Sequence, residues 1–238
     1  MTGEKPRDAR QTIQRIKGMP NGVEGLRFPI RDENLETIGR LRAFDSLLLR
    51  DDDLIATMAR HRTLYKAFFL TQFEATPDNK RSWLKRSVLE NERKILFLLE
   101  SIDGRIVGQD GLTLTGDAVF TLDGSMRWGR GGHPHLFARS ACERATVGFF
   151  LLGCERSELR IFKKNAYVTD DVSSIGWQVE REIPLSVSEK DGVIVYTETD
   201  EIQANTDEKL ILFSMTKSDF RRLHGPIVEE PCWKGVLQ

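Results

Sequence analysis

The stretch WGRGGHPH, residues 128–135, combines one arginine, two adjacent glycines and two histidines directly before a segment with helical periodicity. Gly131 and Gly132 carry no Cβ, so their backbone amides can turn toward a ligand. Pro134 suits the first turn of a helix, where unpaired N–H groups accumulate. These residue types predict a binding site for an anion, most naturally a phosphate, to which Arg130 adds positive charge.

Two other interpretations of this stretch stay open at the level of the residues. The glycines are also compatible with a tight strand-to-helix turn that binds nothing. The spacing of His133 and His135 suits a metal ion, but no third ligand follows nearby in the sequence. We therefore expect no metal, and we expect the histidines to pack at the helix start or to contact the ligand.

The composition limits the classes of function. The chain has 238 residues, a formal net charge of -1 and 39% hydrophobic residues, which is ordinary for a folded protein and gives no bulk reason to expect nucleic-acid binding. Its cysteines, Cys142, Cys154 and Cys232, form no C-x-x-C pair, so neither a zinc site nor a disulfide framework is predicted and a cytoplasmic location is expected.

The ends and the domain organisation follow from hydropathy. The opening residues are polar and basic, and no run approaches the roughly 18 apolar residues that span a bilayer. The sequence thus predicts no signal peptide and no membrane contact. We expect residues 1–20 to be a mobile N-terminal arm and residues 21–238 to form a single domain.

The first half of the chain predicts a strand, two helices and an antiparallel sheet. An apolar run at Ser46–Arg50 indicates a strand, and the aspartates at 51–53 indicate a helix start. Thr76 is the expected N-cap of a second helix, with Pro77 at its first position. The dipeptides Asp-Gly at 103–104 and 123–124 each predict a tight turn between antiparallel strands.

The second half predicts a helix packed closely on the sheet. From Leu136 onward the small residues Ala141, Ala145 and Gly148 recur at helical spacing and keep one face thin. Gly153 is the expected end of that helix. A strand SELRIFKK, a short helix begun by the aspartates at 170–171, and three strands of a meander follow, which together predict an α+β fold.

The segment from Arg130 to Trp177 resembles the acyl-CoA-binding core of the GNAT superfamily of N-acyltransferases. The run FFLLG ends a helix at Gly153, the run SELRIF supplies the next strand, and Asn165 precedes the pair Gly176-Trp177 by the eleven residues typical of the family. The resemblance implies a mixed, largely antiparallel sheet flanked by helices. It also implies acyl-CoA as co-substrate, with an acetyl or short 3-hydroxyacyl group, and no metal.

The resemblance also implies the roles of individual residues. The CoA pyrophosphate is expected at Arg130, Gly131, Gly132, His133 and His135, and Asn165 is expected near the pantetheine. In the family, the strand that enters this loop splays from its neighbour and exposes backbone N–H groups as an oxyanion hole. In this chain that strand lies near Ser125–Trp128, so Arg127 and Trp128 are the candidate catalytic positions.

Three features stay open on the sequence alone. Arg127, rather than Arg130, is an alternative first residue of the loop motif. Val172 occupies the position, seven residues after Asn165, where many family members carry a tyrosine that protonates the leaving thiolate. Glu100 ends an apolar strand and is a candidate general base acting through water, although charged strand ends are often merely exposed.

The predicted acceptor is a small-molecule primary amine. We expect the amino group of a nucleotide-linked amino sugar used in polysaccharide synthesis, because the first long helix offers charged and aromatic residues for a diphosphate and a base. These residues are Arg60, His61, Arg62, Tyr65, Lys66 and Phe69. The alternatives are acetylation of a protein N-terminus and a GNAT-like module that binds CoA without catalysis; a homodimer is compatible with each.

Overall fold

A computed structural model describes residues 8–18, 22–129, 131–229, 231 and 233. The strands are β1 (Arg27–Arg31), β2 (Thr37–Ala43), β3 (Thr71–Gln72), β4 (Lys94–Ser101), β5 (Ile106–Leu114), β6 (Val119–Arg127), β7 (Arg156–Phe162), β8 (Gln178–Lys190), β9 (Val193–Glu198) and β10 (Lys209–Thr216). The helices are α1 (Ala9–Ile16), α2 (Asp52–Leu64), α3 (Pro77–Trp83), α4 (Leu136–Thr146), α5 (Ala166–Ser174), α6 (Lys217–Leu223) and α7 (Gly225–Glu229). Helices α3 and α4 each continue into a π-helical turn, Leu84–Leu89 and Val147–Leu151.

The described strands form one ten-stranded sheet in the order β1-β2-β4-β5-β6-β7-β10-β8-β9-β3. Neighbouring strands pair antiparallel, whereas β6 and β7 pair parallel. A parallel pair needs a long crossover, and α4 is the helix that makes it. The expected α+β fold with a mixed, largely antiparallel sheet is confirmed.

Helices cover both faces of the sheet, and alternate residues of β4 show the two layers. Phe97 and Leu99 belong to the larger core, which also contains residues of α1, α4, α6 and α7. Leu96 and Leu98 face the other way, into a smaller core formed with α2 and with the π-helical turn after α3. Because both faces are covered, β4 is a continuous apolar run rather than an alternating one.

The prediction of a mobile arm over residues 1–20 is wrong for residues 8–18. Helix α1 begins after Asp8, whose side chain accepts a hydrogen bond from the Arg10 N–H, and its Ile13 and Ile16 are fully buried in the larger core. Burial of these two isoleucines on one helical face stabilises the packing of α1 on the core. A wholly polar arm would gain no such free energy. Residues 1–7 and 19–20 lie outside the described residues.

The strand predicted at Ser46–Arg50 is also wrong. Asp45 accepts hydrogen bonds from the N–H groups of Leu47 and Leu48, and this turn leads into a 3-10 helix at Leu48–Arg50. An aspartate that binds the backbone two and three residues ahead favours a turn over an extended chain. The sequence analysis also missed β1 and β2, because charged residues interrupt their apolar pattern.

The predicted helix starts and the first hairpin are confirmed. Asp51 and Thr76 are the N-caps of α2 and α3, accepting hydrogen bonds from the N–H groups of Leu54 and Asn79. The hairpin of β4 and β5 turns at Gly104, which has a φ of 83°. Within the described residues, no helix is both long and apolar enough to cross a membrane.

Candidate functional site

The strands β6 and β7 diverge along their length. They pair only from Val119 with Arg156 to Thr121 with Glu158, although β6 continues along β5 as far as Arg127 and β7 continues along β10 as far as Phe162. Beyond Thr121 the described strands show no β6–β7 pairing. The space between residues 122–127 and residues 159–162, here called the wedge, is therefore bordered by a backbone edge of β6 that no strand occupies.

A β-bulge in β6 bends the strand at the wedge. Gly111 pairs with Asp123 and Gln109 pairs with Met126, so two residues of β6 oppose one of β5. The bulge is formed at Gly124, whose φ is 63°, in the left-handed region that favours glycine. The tight turn predicted at Asp123-Gly124 is thus wrong, because the neighbouring strand β5 continues past this point and keeps β6 extended.

The bulge directs one backbone N–H into the wedge. The N–H of Trp128 donates to the carbonyl of Val107 on β5 at 2.8 Å. Successive N–H groups of a strand point to opposite edges, so the N–H of Arg127 points away from β5 and toward the wedge. This arrangement agrees with the predicted splay near Ser125–Trp128.

A buried polar network fastens α4 beneath the bulge. The Arg144 guanidinium lies 3.2 Å from the Asp110 carboxylate and donates to the carbonyl of Gly111 at 2.7 Å. Ser140 donates to the same carboxylate at 2.6 Å. Burial raises the pKa of Asp110, and the positive charge of Arg144 opposes that rise. The network fixes the position of α4 relative to the wedge.

The glycines before α4 have different conformations. Gly132 has a φ of 88° and Gly129 a φ of 131°, so both adopt backbone conformations that other residues rarely reach. Gly131 does not have a positive φ. A Cβ at Gly131 would lie 3.2 Å from the Val107 side chain. Arg130 lies outside the described residues, and the order of the loop motif remains open.

The start of α4 offers backbone donors to a ligand. His135 is its N-cap residue and makes no side-chain capping hydrogen bond, and the first turn of α4, all of which is described, contains no acidic residue. The N–H of His135 binds the His133 ring at 3.3 Å, and the two rings lie 5.7 Å apart. An uncapped helix N-terminus attracts anions.

Helix α5 brings a carboxylate to the same end of the wedge. Burial raises the pKa of Asp171, and the charges of Arg127 and His135 oppose this shift, so the three side chains are close enough to interact. The Arg127 guanidinium also lies 5.6 Å from the centre of the Phe137 ring on α4. The sequence analysis missed Asp171 as a site residue because it placed this aspartate at a helix start, whereas α5 begins at Ala166.

Two further predicted positions lie on α5. Asn165 is the N-cap residue of α5 and makes no side-chain capping hydrogen bond among the described residues, so its amide is available near the wedge. Val172 is buried in the larger core and supplies no proton donor. The exposed Tyr167, 64% exposed, is on the same helix but belongs to the solvent side.

Glu100 is engaged in ion pairs at the far side of β4. Its carboxylate lies 3.3 Å from the Arg27 guanidinium and 3.8 Å from that of Arg42. No described contact joins it to Arg127 or Trp128. The structure therefore does not bring this predicted base to the wedge.

Trp128 faces α2 on the other side of the sheet. Its ring stacks on His61 with ring centres 5.7 Å apart and an interplanar angle of 12°, and His61 stacks in turn on Tyr65 at 6.3 Å. The Nε1 of Trp128 and the Nδ1 of His61 are buried without a hydrogen-bond partner among the described residues. Buried polar atoms of this kind require a partner such as water or a ligand.

The other residues predicted on α2 divide into two groups. Helix α2 ends at Leu64, so Lys66 and Phe69 lie beyond it, and the Arg62 guanidinium covers the Phe69 ring at 3.9 Å. Arg60 is exposed, and Lys66 is paired with Glu74. Only part of the predicted acceptor surface is therefore assembled, and its role stays a prediction.

No group of three or more His, Cys, Asp or Glu side chains is arranged as metal ligands within the described part of the chain.

In comparisons with known proteins, no protein-family model matches the sequence, and no curated protein matches it.

Solved structures share the fold at low sequence identity. A probable GNAT-family acetyltransferase from Chromobacterium violaceum superposes with a TM-score of 0.61 and 13% identity, covering 92% of this chain and 94% of its own. FdhC, described as a nucleotide-linked sugar GNAT, gives 0.57 and 16%, covering 86% and 98%. Spermidine N-acetyltransferase from Vibrio cholerae, solved with CoA and spermine, gives 0.52 and 14%, covering 76% and 96%.

Proposed function

We propose that this protein, which has the GNAT fold, is an acyl-CoA-dependent N-acyltransferase. The observation that carries the proposal is the wedge: a free backbone edge of β6, bent by the bulge at Gly124, next to an uncapped helix N-terminus. Together these features offer backbone donors for a thioester carbonyl and for a pyrophosphate. The GNAT acetyltransferases with the same fold support this interpretation.

Each part of the wedge has a role in this proposal. The amides of the glycine loop and of the first turn of α4 bind the CoA pyrophosphate, assisted by Arg130, His133 and His135. Acyl-CoA supplies the activated carbonyl. The N–H of Arg127 donates to that carbonyl oxygen and stabilises the negative charge that develops when the amine attacks.

Among the described residues, Asp171 is the titratable group to which we assign a role at the wedge. Its raised pKa favours proton exchange with the incoming amine or the leaving thiolate, a task that Val172 cannot perform. A thiolate with an ordinary pKa of about 8.5 is also a tolerable leaving group without a proton donor.

We further propose that the acceptor is the amino group of a nucleotide-linked amino sugar. The resemblance to FdhC supports this choice, and so do the aromatic stack of His61, Tyr65 and Trp128 and the basic residues beside it. The buried free thiols of Cys142 and Cys154 suit a reducing, cytoplasmic location.

The alternatives each predict a different result in one assay. The protein is incubated with acetyl-CoA or a 3-hydroxyacyl-CoA and, separately, with amino-sugar nucleotides, spermidine or N-terminal peptides, and free thiol is followed. We expect thiol release with an amino-sugar nucleotide. Release with peptides or spermidine only would replace the acceptor, and CoA binding without release on any amine would favour a non-catalytic module.

A further inference from the structure

Two lysines are buried among the residues that the structure describes, and their environments differ. Lys17, at the end of α1, is fully buried, and its ammonium donates to three carbonyls, those of Val88, Leu89 and Asn91, at 2.8–3.0 Å. Each donor of that ammonium has an acceptor. Lys17 is therefore explained by the fold, since it ties α1 to the end of the π-helical turn after α3.

Lys80 on α3 has no such explanation. Only 6% of it is exposed, yet it makes no hydrogen bond or ion pair with any described residue. Its ammonium lies 4.4 Å from the centre of the Trp83 ring. Burial, followed by the positive charges of Arg62 and Lys94, lowers its pKa to about 7. The side chain is largely buried and its ammonium lies against the Trp83 ring, and removing a charge from water without a counter-ion costs free energy.

The groups around Lys80 come from three other elements and are mostly positive. Arg62 of α2 donates to the Thr71 carbonyl, while its Nη1 is buried without a partner among the described residues. Lys94 of β4 lies 5.8 Å from the same Trp83 ring and pairs with Asp123 of β6 at 2.6 Å.

The charges at this place do not balance. When Lys80 is protonated, Lys80, Arg62 and Lys94 supply three positive charges, and Asp123 supplies one negative charge. His61, next to Arg62 along α2, has a pKa lowered by burial and by Arg60. Nearby acidic residues are already paired elsewhere, Glu74 with Lys66 and Asp52 with Arg81. A dianion of small size would therefore neutralise the excess.

The same side of the sheet also carries Trp128. Trp83 and Trp128 pack against one apolar cluster between the sheet and the helices, so Lys80, which lies against Trp83, and the aromatic stack are on the same face of the sheet. We call this surface the cationic face; it consists of His61, Arg62, Lys80, Trp83, Lys94 and Trp128. It combines charge for a diphosphate with flat rings for a base.

We propose that Lys80, together with Arg62 and Lys94, binds the diphosphate of the acceptor substrate on the cationic face. This inference rests on the proposed function and assigns the diphosphate subsite of that acceptor. The anion supplies the counter-charge that Lys80 lacks, so Lys80 keeps its proton in the complex. A single carboxylate would neutralise one positive charge and leave the second without a counter-charge.

Binding of a free diphosphate directly tests this proposed diphosphate subsite, which is called the pocket below. Uridine diphosphate, thymidine diphosphate and inorganic pyrophosphate are titrated calorimetrically into the wild-type protein, Lys80→Met and the control Lys85→Met, an exposed lysine on the same helical segment. We expect Lys80→Met to weaken diphosphate binding about tenfold or more, or about 1.4 kcal/mol, and Lys85→Met to change it less than about twofold. The loop before α4 is identical in all three proteins, so the difference between them isolates the pocket.

Separate controls test the folding of the Lys80→Met variant and the chemical class of the ligand. CoA binding, followed by thermal shift, should be the same in Lys80→Met and wild type, which shows that the variant is folded. Lys80→Arg keeps the charge and should retain most of the diphosphate affinity. Succinate serves as the dicarboxylate probe, and binding of succinate as tight as that of pyrophosphate would overturn the assignment to phosphate.

Activity separates this inference from the proposed function. Unchanged diphosphate affinity in Lys80→Met, or turnover of an amino-sugar nucleotide with an unchanged KM in that variant, would overturn the pocket and leave the acyltransferase intact. Loss of diphosphate binding in Lys80→Met, with no turnover of any amino-sugar nucleotide by the wild type, would support the pocket and overturn the proposed acceptor.

Discussion

The wedge and the cationic face lie on different parts of one sheet, and in the proposed function they bind their ligands by different means. The wedge relies on backbone: a free strand edge after Thr121, a glycine with positive φ at 132 and an uncapped helix start at His135. The cationic face relies on side chains, chiefly Lys80 and the stack of His61 on Trp128.

The two regions therefore differ in how they respond to substitutions. Backbone donors are retained through many substitutions as long as the strand, the bulge and the helix keep their positions. Side-chain pockets change with single substitutions. One fold can therefore serve different substrates, and the proteins that share this fold include a nucleotide-linked sugar GNAT and a spermidine N-acetyltransferase.

The largest expected effect concerns the support of the wedge. Arg144→Met removes the partner of the buried Asp110 and should lower the free energy of unfolding by about 3–5 kcal/mol, because an uncompensated buried charge remains. Urea unfolding measures this. The control is Arg139→Met on the same helix, whose pair with the exposed Glu33 should contribute less than about 1 kcal/mol. Equal losses in both variants would contradict a structural network under the bulge.

The next effect is a pH dependence on the cationic face. An unfolded lysine keeps its proton to about pH 10.4, whereas folded Lys80 releases it above about pH 7. Unfolding therefore takes up a proton between these values, and the wild type becomes more stable as pH rises from 6 to 9. Relative to Lys80→Met, we expect the wild type to gain about 2 kcal/mol over this range; parallel stability curves would disprove the lowered pKa.

A smaller effect distinguishes the two loop glycines. Gly132→Ala forces a side chain into a φ of 88°, at a cost of about 1–2 kcal/mol, and we expect CoA affinity to fall about tenfold. Gly131→Ala is the matched change without positive φ, and it should affect CoA affinity less. The reverse ranking, measured by CoA-dependent thermal shift, would mean that Gly132 does not shape the pyrophosphate site.

The smallest effect lies at the ring stack. Trp128→Phe keeps an aromatic ring against His61 but removes the unpaired Nε1, and we expect the KM for the acceptor to rise about fivefold, or roughly 1 kcal/mol, with CoA affinity unchanged. Tyr65→Phe, at the outer end of the stack, is the control for a general effect on ring packing. A change in CoA affinity instead would place Trp128 with the wedge.

Much of the wedge was predictable from sequence because its signals are local. Outside the wedge, the caps Asp51 and Thr76 of α2 and α3 depend on neighbours along the chain. At the wedge, the small residues of α4 and the spacing from Asn165 to Gly176 do so as well. The close packing they predict is present: a Cβ at Gly148 would lie 2.6 Å from the Phe120 ring. The bulge at Gly124 was mistaken for a turn, because an Asp-Gly pair has the same local preference in both and the partner strand decides between them.

The sequence by itself determined the α+β class, the helix starts, the β4–β5 hairpin and the resemblance of residues 130–177 to an acyl-CoA-binding core. Only the tertiary structure decided that residues 8–18 are docked, that Glu100 is bound by Arg27 and Arg42, and that Lys80 is largely buried with no counter-ion among the described residues. The physical reason is the range of the interactions. Propensities, caps and turns act within a few residues, whereas burial and charge balance depend on elements that are distant in sequence and meet only in the folded sheet.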